Sequence, residues 1–85
     1  MEKNLYTERQ NALLSLLRST REQAGLRQED VAERLGRPQS FVSKYESGER
    51  RLDILELYDV CEALGTSMAG FVESLEKKLK TKRRK

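Results

Sequence analysis

The sequence predicts an all-α fold that forms a single small domain. Helix-forming residues dominate its 85 residues, proline occurs once, and apolar residues recur at spacings of three and four between isolated glycines. A chain of this length buries only about 60% of the surface that its unfolded form exposes, so one domain is the upper limit.

The first two helices are delimited by a capping pattern and by glycines. Thr7 followed by Gln10 is typical of a capping box and predicts a first helix over residues 8–24. A second helix is predicted over residues 28–35, because acidic residues in its first turn favour the positive end of the helix dipole. A glycine follows each segment and is expected to end the helix.

Proline and glycine delimit the third helix. Pro38 suits the first helical position, because its fixed φ and missing N–H cost nothing there. The helix is therefore predicted over residues 38–46, with Val42 and Tyr45 facing inward, and Gly48 follows its end.

A second capping box predicts the fourth helix. Asp53 and Glu56 have the required spacing, and an apolar stripe follows them. We expect the inner face of this helix to contain Ile54, Leu57, Val60, Cys61 and Leu64. Cys61 is interpreted as a small core residue, since its stripe shows no cation that would activate a thiol.

Ser67 is predicted to cap a fifth helix, in which apolar residues continue at helical spacing as far as residue 79. The predicted organisation is an N-terminal extension at residues 1–7, a domain at residues 8–79, and a disordered basic tail at residues 80–85. The tail is interpreted either as a solubilising end or as a non-specific attraction for phosphates.

Charge is distributed unevenly along the chain. The formal net charge is +3, but residues 77–85 contain seven of the 17 basic residues and no acid. Residues 1–76 therefore carry a net charge of −4. An argument for a nucleic-acid partner must rest on where charges lie and not on their total.

Composition excludes several classes of site. The absence of histidine excludes histidine-based catalysis and histidine ligation of metals, and a single cysteine excludes an intrachain disulfide or a multi-cysteine zinc site. No apolar run approaches the roughly 20 residues of a membrane span. We expect a cytoplasmic, nucleoid-associated protein with no enzymatic activity, cofactor, metal site or membrane partner.

Residues 26–48 have the outline of a helix-turn-helix. Two short predicted helices are joined by a tight turn at a glycine, and small Ala32 allows the helices to pack closely. The second helix presents outward the polar residues Gln39, Ser40, Ser43, Lys44 and Ser47. A helix of this kind fits the major groove of B-DNA, where glutamine can bond adenine.

The chain resembles the Cro/CI-type helix-turn-helix family of phage and bacterial transcription regulators, also called the XRE family. The resemblance extends without gaps over about residues 13–72. The matching positions are Arg21, Gly25, Leu26, Gln28, Val31, Ala32, Leu35, Gly36, Gln39, Ser40, Val42, Ser43, Tyr45, Glu46, Gly48, Arg50 and residues 54–65. The resemblance implies a compact five-helix, lambda-repressor-like DNA-binding domain.

The resemblance also implies roles for individual residues. Base reading is expected of Gln39, Ser40, Ser43 and Lys44. Contacts to the DNA backbone are expected of Arg27, Gln28, Arg37, Phe41, Ser47, Arg50 and Arg51. Gln28 is further expected to brace Gln39, and Arg21 and Glu46 match an ion pair that is structural in the family.

Four positions depart from the family pattern, and one of them is Pro38, which replaces a usual serine or threonine. Arg27 stands where serine or threonine usually caps a helix, and the loss of such a cap costs about 1 kcal/mol. Phe41 stands where a small polar residue is common, and we expect it to face outward toward a thymine methyl group or a sugar. Leu52 replaces a common proline.

The function expected from these features is sequence-specific regulation of transcription, with double-stranded DNA as partner. A homodimer would read a roughly palindromic operator, and repression would follow if the operator overlaps a promoter. The apolar stripe of the fifth helix either closes the core or forms a dimer interface through Phe71, Leu75 and Leu79. The alternatives are an antitoxin or restriction–modification controller that also binds a protein, and an interaction adaptor that does not bind DNA.

Overall fold

The computed structural model describes residues 5–83 of the chain. These residues form five α-helices, and none of them lies in a β-strand. The helices are α1 (Leu5–Gln23), α2 (Gln28–Leu35), α3 (Gln39–Ser47), α4 (Ile54–Leu64) and α5 (Met68–Arg83). The predicted all-α fold with five helices is therefore confirmed.

The N-terminal boundary differs from the prediction. α1 begins at Leu5, so Thr7 lies inside the helix and the predicted capping box is wrong. The reason is that threonine is only slightly unfavourable in a helix interior, so the Thr-x-x-Gln spacing alone does not stop a helix from extending backward. Of the predicted extension at residues 1–7, the last three residues are helical, and residues 1–4 lie outside the described residues.

The third helix also begins one residue later than predicted. Pro38 has φ −66° and ψ 155°, which is extended backbone, so it is the N-cap and Gln39 is the first helical residue. Proline favours the φ of a helix but leaves ψ undetermined, and here ψ places Pro38 outside the helix. Asp53 caps α4 as predicted: its carboxylate accepts the Glu56 N–H at 2.7 Å.

The C-terminal boundary is the largest difference. α5 continues to Arg83, so the prediction of disorder is wrong for residues 80–83, while residues 84–85 lie outside the described part of the chain. A helix already anchored in a core gains a hydrogen bond with each added residue, and cations favour its C-terminal end. An exposed ion pair between Lys80 and Glu76, at 3.7 Å, lies in this segment.

All five helices contribute to one hydrophobic core. The largest fully buried side chains are Tyr45, Leu17, Val31, Val42, Val60 and Cys61. Cys61 is a core residue as predicted, and burial raises the pKa of its thiol. Phe71, the buried residue of α5, belongs to the same cluster.

One residue that was predicted to lie on the inner face of α4 is instead exposed. Val60, Cys61 and Leu64 are buried, but Ile54 is 65% exposed. Ile54 lies three positions before the partly buried Leu57, which rotates it about 60° away around the helix axis, and it is the terminal residue of the helix. Spacing alone therefore assigned it to the wrong surface.

The glycine that ends α3 provides a test of packing at the helix end. Gly48 has φ +88°, and a Cβ atom there would lie 3.0 Å from the Leu14 side chain, whereas a Cβ at Gly36, with φ +67°, would meet nothing within 4 Å. Both alanine substitutions carry the left-handed backbone penalty of about 1 kcal/mol. We expect Gly48→Ala to lower the free energy of unfolding by more than Gly36→Ala, as measured by urea denaturation. Equal losses of stability in the two variants would show that the Leu14 side chain can shift without an energetic cost.

Candidate nucleic-acid interface

The turn between α2 and α3 fixes the angle at which α3 leaves the domain. Gly36 adopts the left-handed conformation, with φ 67° and ψ 33°, which glycine tolerates without strain. The Arg37 N–H then donates to the Ala32 carbonyl oxygen at 3.0 Å. These contacts end α2 and direct the chain into Pro38, so the predicted helix-turn-helix is present.

α3 has one buried face and one exposed face. Phe41, Val42 and Tyr45 are buried in the core. The opposite face carries polar side chains that are exposed or, for Ser43, partly exposed: Gln39, Ser40, Ser43, Lys44 and Ser47. The structure thus brings the four predicted base-reading residues together on one surface.

A buried ion pair joins the end of α3 to α1. Arg21 donates to the Glu46 carboxylate through Nε at 2.6 Å and Nη2 at 3.1 Å. The two side chains are only 10% and 5% exposed, and Arg21 also donates to the Leu26 carbonyl oxygen at 2.9 Å. The hydrogen bond to Glu46 raises the pKa of Arg21, so the guanidinium group stays charged although it is buried. The pair that the resemblance implied is therefore present.

The same carboxylate extends the network to the start of α3. Gln28 donates through Nε2 to Glu46 Oε1 at 3.0 Å, and its own Oε1 accepts from Gln39 Nε2 at 2.7 Å. The amide of Gln39 is thereby connected through Gln28 to the buried ion pair. The Gln28–Gln39 brace was expected, but the bond from Gln28 to Glu46 was not, because nothing in an 18-residue separation signals it.

The missing cap of α2 is compensated by Asp30. Its carboxylate accepts the Arg27 N–H at 2.8 Å and two guanidinium hydrogen bonds from the same residue, at 3.1 and 2.9 Å. These bonds hold the pKa of Asp30 at about 2. Arg27 remains exposed, but its charge is already paired with a carboxylate.

The expected outward orientation of Phe41 is wrong. Its side chain is only 7% exposed and meets the Tyr45 ring edge-on, with ring centroids 5.5 Å apart. The two residues are four positions apart and therefore share one face of α3. The guanidinium groups of Arg37 and Arg50 lie 4.3 and 4.9 Å from the centre of the Phe41 ring. Phe41 thus supports two of the predicted DNA-contacting arginines and is not itself available to DNA.

Glu56 links these arginines to the start of α4. Arg50 donates to both of its carboxylate oxygens, at 3.0 and 2.8 Å, and Arg37 lies 3.9 Å away. The same carboxylate accepts the Asp53 N–H at 2.9 Å, which completes the capping box. The hydrogen bond from Arg50 lowers the pKa of Glu56 to about 2. The capping box was predicted, but the ion pairs were not.

Two further predicted contacts lie at the end of α3. The Ser47 hydroxyl donates to the Lys44 carbonyl oxygen at 3.1 Å and accepts the Glu49 N–H at 3.3 Å, so it shapes the helix end. Arg51 is exposed in the loop that follows. Ser47 therefore lies at the end of the exposed face of α3, and Arg51 follows it in the chain.

The three residues predicted as a possible dimer interface differ in their exposure to solvent. Phe71 is only 3% exposed and packs in the core, so it is not available to a second copy. Leu75 and Leu79 are partly exposed. The first turns of α5 thus close the core.

The comparison with protein families decides the identity of this fold. The helix-turn-helix family model matches residues 17–71, which is more than half of the chain. This chain belongs to the XRE family of helix-turn-helix transcriptional regulators. The matched region includes the whole of α2, α3 and α4, and it contains the Arg21–Glu46 pair and the exposed face of α3.

Relatives of this XRE-family regulator agree with the assignment. It is 40% identical over 52 residues to the HTH-type transcriptional regulator y4dJ of Sinorhizobium fredii, covering 61% of this chain and 68% of that protein. It is 48% identical to an XRE-family like protein from Pseudomonas syringae, with a TM-score of 0.80 over 86% of this chain and 89% of the other.

Two other solved regulators share the fold. The restriction–modification controller protein C.Esp1396I superposes with a TM-score of 0.78 at 25% identity, covering 94% of this chain and 99% of that one. The clp gene regulator ClgR from Corynebacterium glutamicum superposes with a TM-score of 0.72 at 28% identity, covering 91% and 95%. The lambda-repressor-like arrangement of five helices is confirmed.

The described residues contain neither a candidate metal site nor a membrane-spanning helix. Within residues 5–83, no group of three or more cysteine, aspartate or glutamate side chains is arranged to hold a metal ion. The same residues include no helix that is both long and apolar enough to cross a membrane.

The buried ion pair predicts a large loss of stability when one partner is neutralised. Glu46→Gln retains an acceptor for Gln28 but removes the buried carboxylate that pairs with Arg21, and only the exposed Glu22 carboxylate remains, 4.0 Å from Arg21 Nη2. We expect the free energy of unfolding to fall by about 3 kcal/mol in urea denaturation. Glu76→Gln is the matched control, because the Lys80–Glu76 pair is 71% and 63% exposed, and it should cost less than about 1 kcal/mol. Equal losses would contradict the structural role of Glu46.

The lowered pKa of Glu56 predicts a pH-dependent contribution to stability. Because its pKa falls from 4.5 to about 2 on folding, its contribution is complete above pH 4.5 and is lost as the pH falls toward 2. We expect Glu56→Gln to be less stable than wild type at pH 7, with the difference shrinking between pH 4.5 and pH 2. Urea denaturation at several pH values between 2 and 7 measures this difference in stability, and Glu73→Gln, at an exposed position, is the control. A difference that stays constant with pH would contradict the assignment.

Proposed function

We propose that this chain is a sequence-specific DNA-binding regulator that inserts α3 into the major groove of its operator. The observation that carries the proposal is the immobilised amide of Gln39, which is exposed on α3 yet bonded at 2.7 Å to Gln28. Nothing in the packing of the domain requires this arrangement, since both amides lie outside the hydrophobic core. A preorganised polar group on an exposed helix face is suited to reading a base.

The chemistry of the amide supports adenine as the base that Gln39 reads. An amide nitrogen carries two hydrogens, and the bond to Gln28 uses one of them. The second hydrogen and the carbonyl oxygen remain to pair with N7 and N6 of adenine. Ser40, Ser43 and Lys44 lie on the same face and would contact neighbouring bases.

Cations around α3 would bind the phosphates on either side of the groove. Arg37 and Arg50 share one carboxylate, Glu56, so the three groups together carry a net charge of +1. Arg27, Gln28, Ser47 and Arg51 flank the same helix and would complete the backbone contacts. Phe41 contributes by supporting the two arginines and not by touching DNA.

Specific recognition requires a second copy of the chain. One short helix reads only a few base pairs, whereas a regulator must compete with a genome of non-specific sites. A homodimer places two copies of α3 in successive major grooves, about 34 Å apart, on a roughly palindromic operator. Repression follows where that operator overlaps a promoter. Such a regulator acts on the nucleoid in the cytoplasm, without enzymatic activity or cofactor.

A controller-type function is the second candidate. It is favoured by the similarity to the restriction–modification controller C.Esp1396I, which covers nearly the whole of both chains. A controller of this kind, or an antitoxin, would bind DNA through the same face of α3 and could also bind a protein partner. Selection of bound DNA from a random pool distinguishes these functions from an adaptor, for which no sequence would be enriched.

Removal of the Gln39 side chain tests the proposal directly. We expect Gln39→Ala to weaken binding to the selected operator by about 1–3 kcal/mol while binding to random DNA barely changes. Gln23→Ala is the matched control, because it removes the same side chain from an exposed position at the end of α1. Fluorescence anisotropy at constant salt measures both affinities. If Gln39→Ala binds its operator as wild type does, Gln39 does not read a base.

A further inference from the structure

One of the arginines proposed to bind DNA phosphate is already engaged by a carboxylate of the same chain. Arg50 donates from Nη1 and Nη2 to the two carboxylate oxygens of Glu56, at 3.0 and 2.8 Å. A guanidinium group binds carboxylate and phosphate through the same fork of two parallel N–H bonds. Glu56 therefore holds the part of Arg50 that a phosphate group would bind.

The Arg50–Glu56 pair lies on the flank of α3, next to its exposed face. The guanidinium groups of Arg37 and Arg50 lie 4.3 and 4.9 Å from the centre of the Phe41 ring. At about 100° per residue, Phe41 is about 60° around the helix from exposed Lys44. When a helix lies in the major groove, groups on its flank face the phosphates of the groove wall. In the proposed complex, the pair is therefore directed toward phosphate and not toward bases.

The position of Glu56 is fixed by α4 and not by the arginine alone. Its Oε1 accepts the Asp53 N–H at 2.9 Å in the capping box, and its side chain is only 19% exposed. The capping box needs a hydrogen-bond acceptor at this position, and glutamine also serves there. The cap therefore does not require the negative charge of Glu56, whereas the ion pair with Arg50 does.

Contact between Arg50 and a phosphate requires that this ion pair be opened or shared. Glu56 and the Arg51 carbonyl oxygen accept three of the five N–H hydrogens of the guanidinium group. The hydrogen bond from Arg50 lowers the pKa of Glu56 to about 2, so the carboxylate is charged at neutral pH. A fixed negative charge also repels an approaching phosphate. Both effects weaken the contact of Arg50 with DNA of any sequence.

We propose that Glu56 restrains the sequence-independent binding of DNA by competing with phosphate for Arg50. The proposal rests on the proposed function for DNA as the partner, and it adds a residue that itself contacts neither base nor phosphate. Phosphate contacts supply nearly all of the affinity for non-specific DNA. A competitor for them therefore reduces the share of the protein that is held at the many other sites of a genome. Arg50 is the main target, because Arg37 is 3.9 Å from Glu56 and Arg50 is 2.8 Å from it.

Binding of the full chain to a duplex of random sequence tests the proposal. We expect Glu56→Gln to bind this duplex about fivefold more tightly than wild type in fluorescence anisotropy, an effect of the size of one partly exposed ion pair. The slope of log affinity against log salt concentration should steepen by about one, since binding no longer leaves a carboxylate that takes up a cation.

Glu73→Gln is the matched control for the change in net charge. It removes the same charge from an exposed position on α5, a helix that packs against α1 and α4, and should change the affinity by less than about twofold. An effect of Glu56→Gln no larger than that of Glu73→Gln would overturn the proposal. Weaker binding by a folded Glu56→Gln, as checked by circular dichroism, would show that Glu56 orients Arg50 for DNA and would overturn it as well.

Removal of Arg50 tests whether the effect passes through that residue. In an Arg50→Ala background, Glu56→Gln should change the affinity for the random duplex by less than about twofold, because the restrained group is absent. If Glu56→Gln increases the affinity of Arg50→Ala as much as that of wild type, Glu56 does not act through Arg50 and the proposal is wrong.

Measurements on random DNA need no operator, so they separate failure of this inference from failure of the proposed function. Tighter binding of the random duplex by Glu56→Gln, with no sequence enriched from a random pool, would support the inference and contradict the proposed function. An enriched operator that is read through Gln39, with an unchanged affinity of Glu56→Gln for the random duplex, would support the proposed function and overturn the inference.

Discussion

Glu46 accepts hydrogen bonds from Arg21 and Gln28 while its side chain is almost completely removed from water. The arrangement of the exposed face of α3 depends on this carboxylate, because it joins α1, the start of α2 and the end of α3. A buried ion pair repays little of its desolvation cost, and well-packed apolar residues could equal its stability. Apolar residues could not orient the Gln28 amide, however. The consequence of the pair is geometrical, since it determines where Gln28 and then Gln39 present their polar atoms.

α3 shows why such constraints are needed. It is a nine-residue helix, and an isolated helix of that length is marginal in water. Core contacts of Val42 and Tyr45 hold its middle, and polar contacts hold its two ends. Gln39 is bonded to α2, and the loop after Ser47 is held by the pair of Arg50 with Glu56. A short helix is thereby presented to a partner as a rigid element.

The net charge of the chain does not describe the charges around α3, because several of them are paired. Residues 1–76 carry a net negative charge, and arginines around α3 form a basic face. Arg27 is paired with Asp30, and Arg50 with Glu56, so these cations are partly neutralised before any partner binds. This pairing limits the general attraction of the surface for polyanions. In the proposed function, discrimination among DNA sequences therefore rests more heavily on the oriented polar groups of α3.

The sequence by itself determined the helical class, the caps at Gly36 and Asp53, the helix-turn-helix and the polar face of α3. These depend on local chemistry: Gly36 permits a left-handed turn, Asp53 caps its own helix, and the spacing of Val42 and Tyr45 defines a face. Tertiary structure alone decided which faces are covered. Phe41 is buried and Ile54 is exposed because helices distant in sequence cover the first and not the second, and periodicity contains no information about those neighbours. The hydrogen bond from Gln28 to Glu46 likewise joins residues 18 positions apart, a separation at which only the packed chain brings two side chains together.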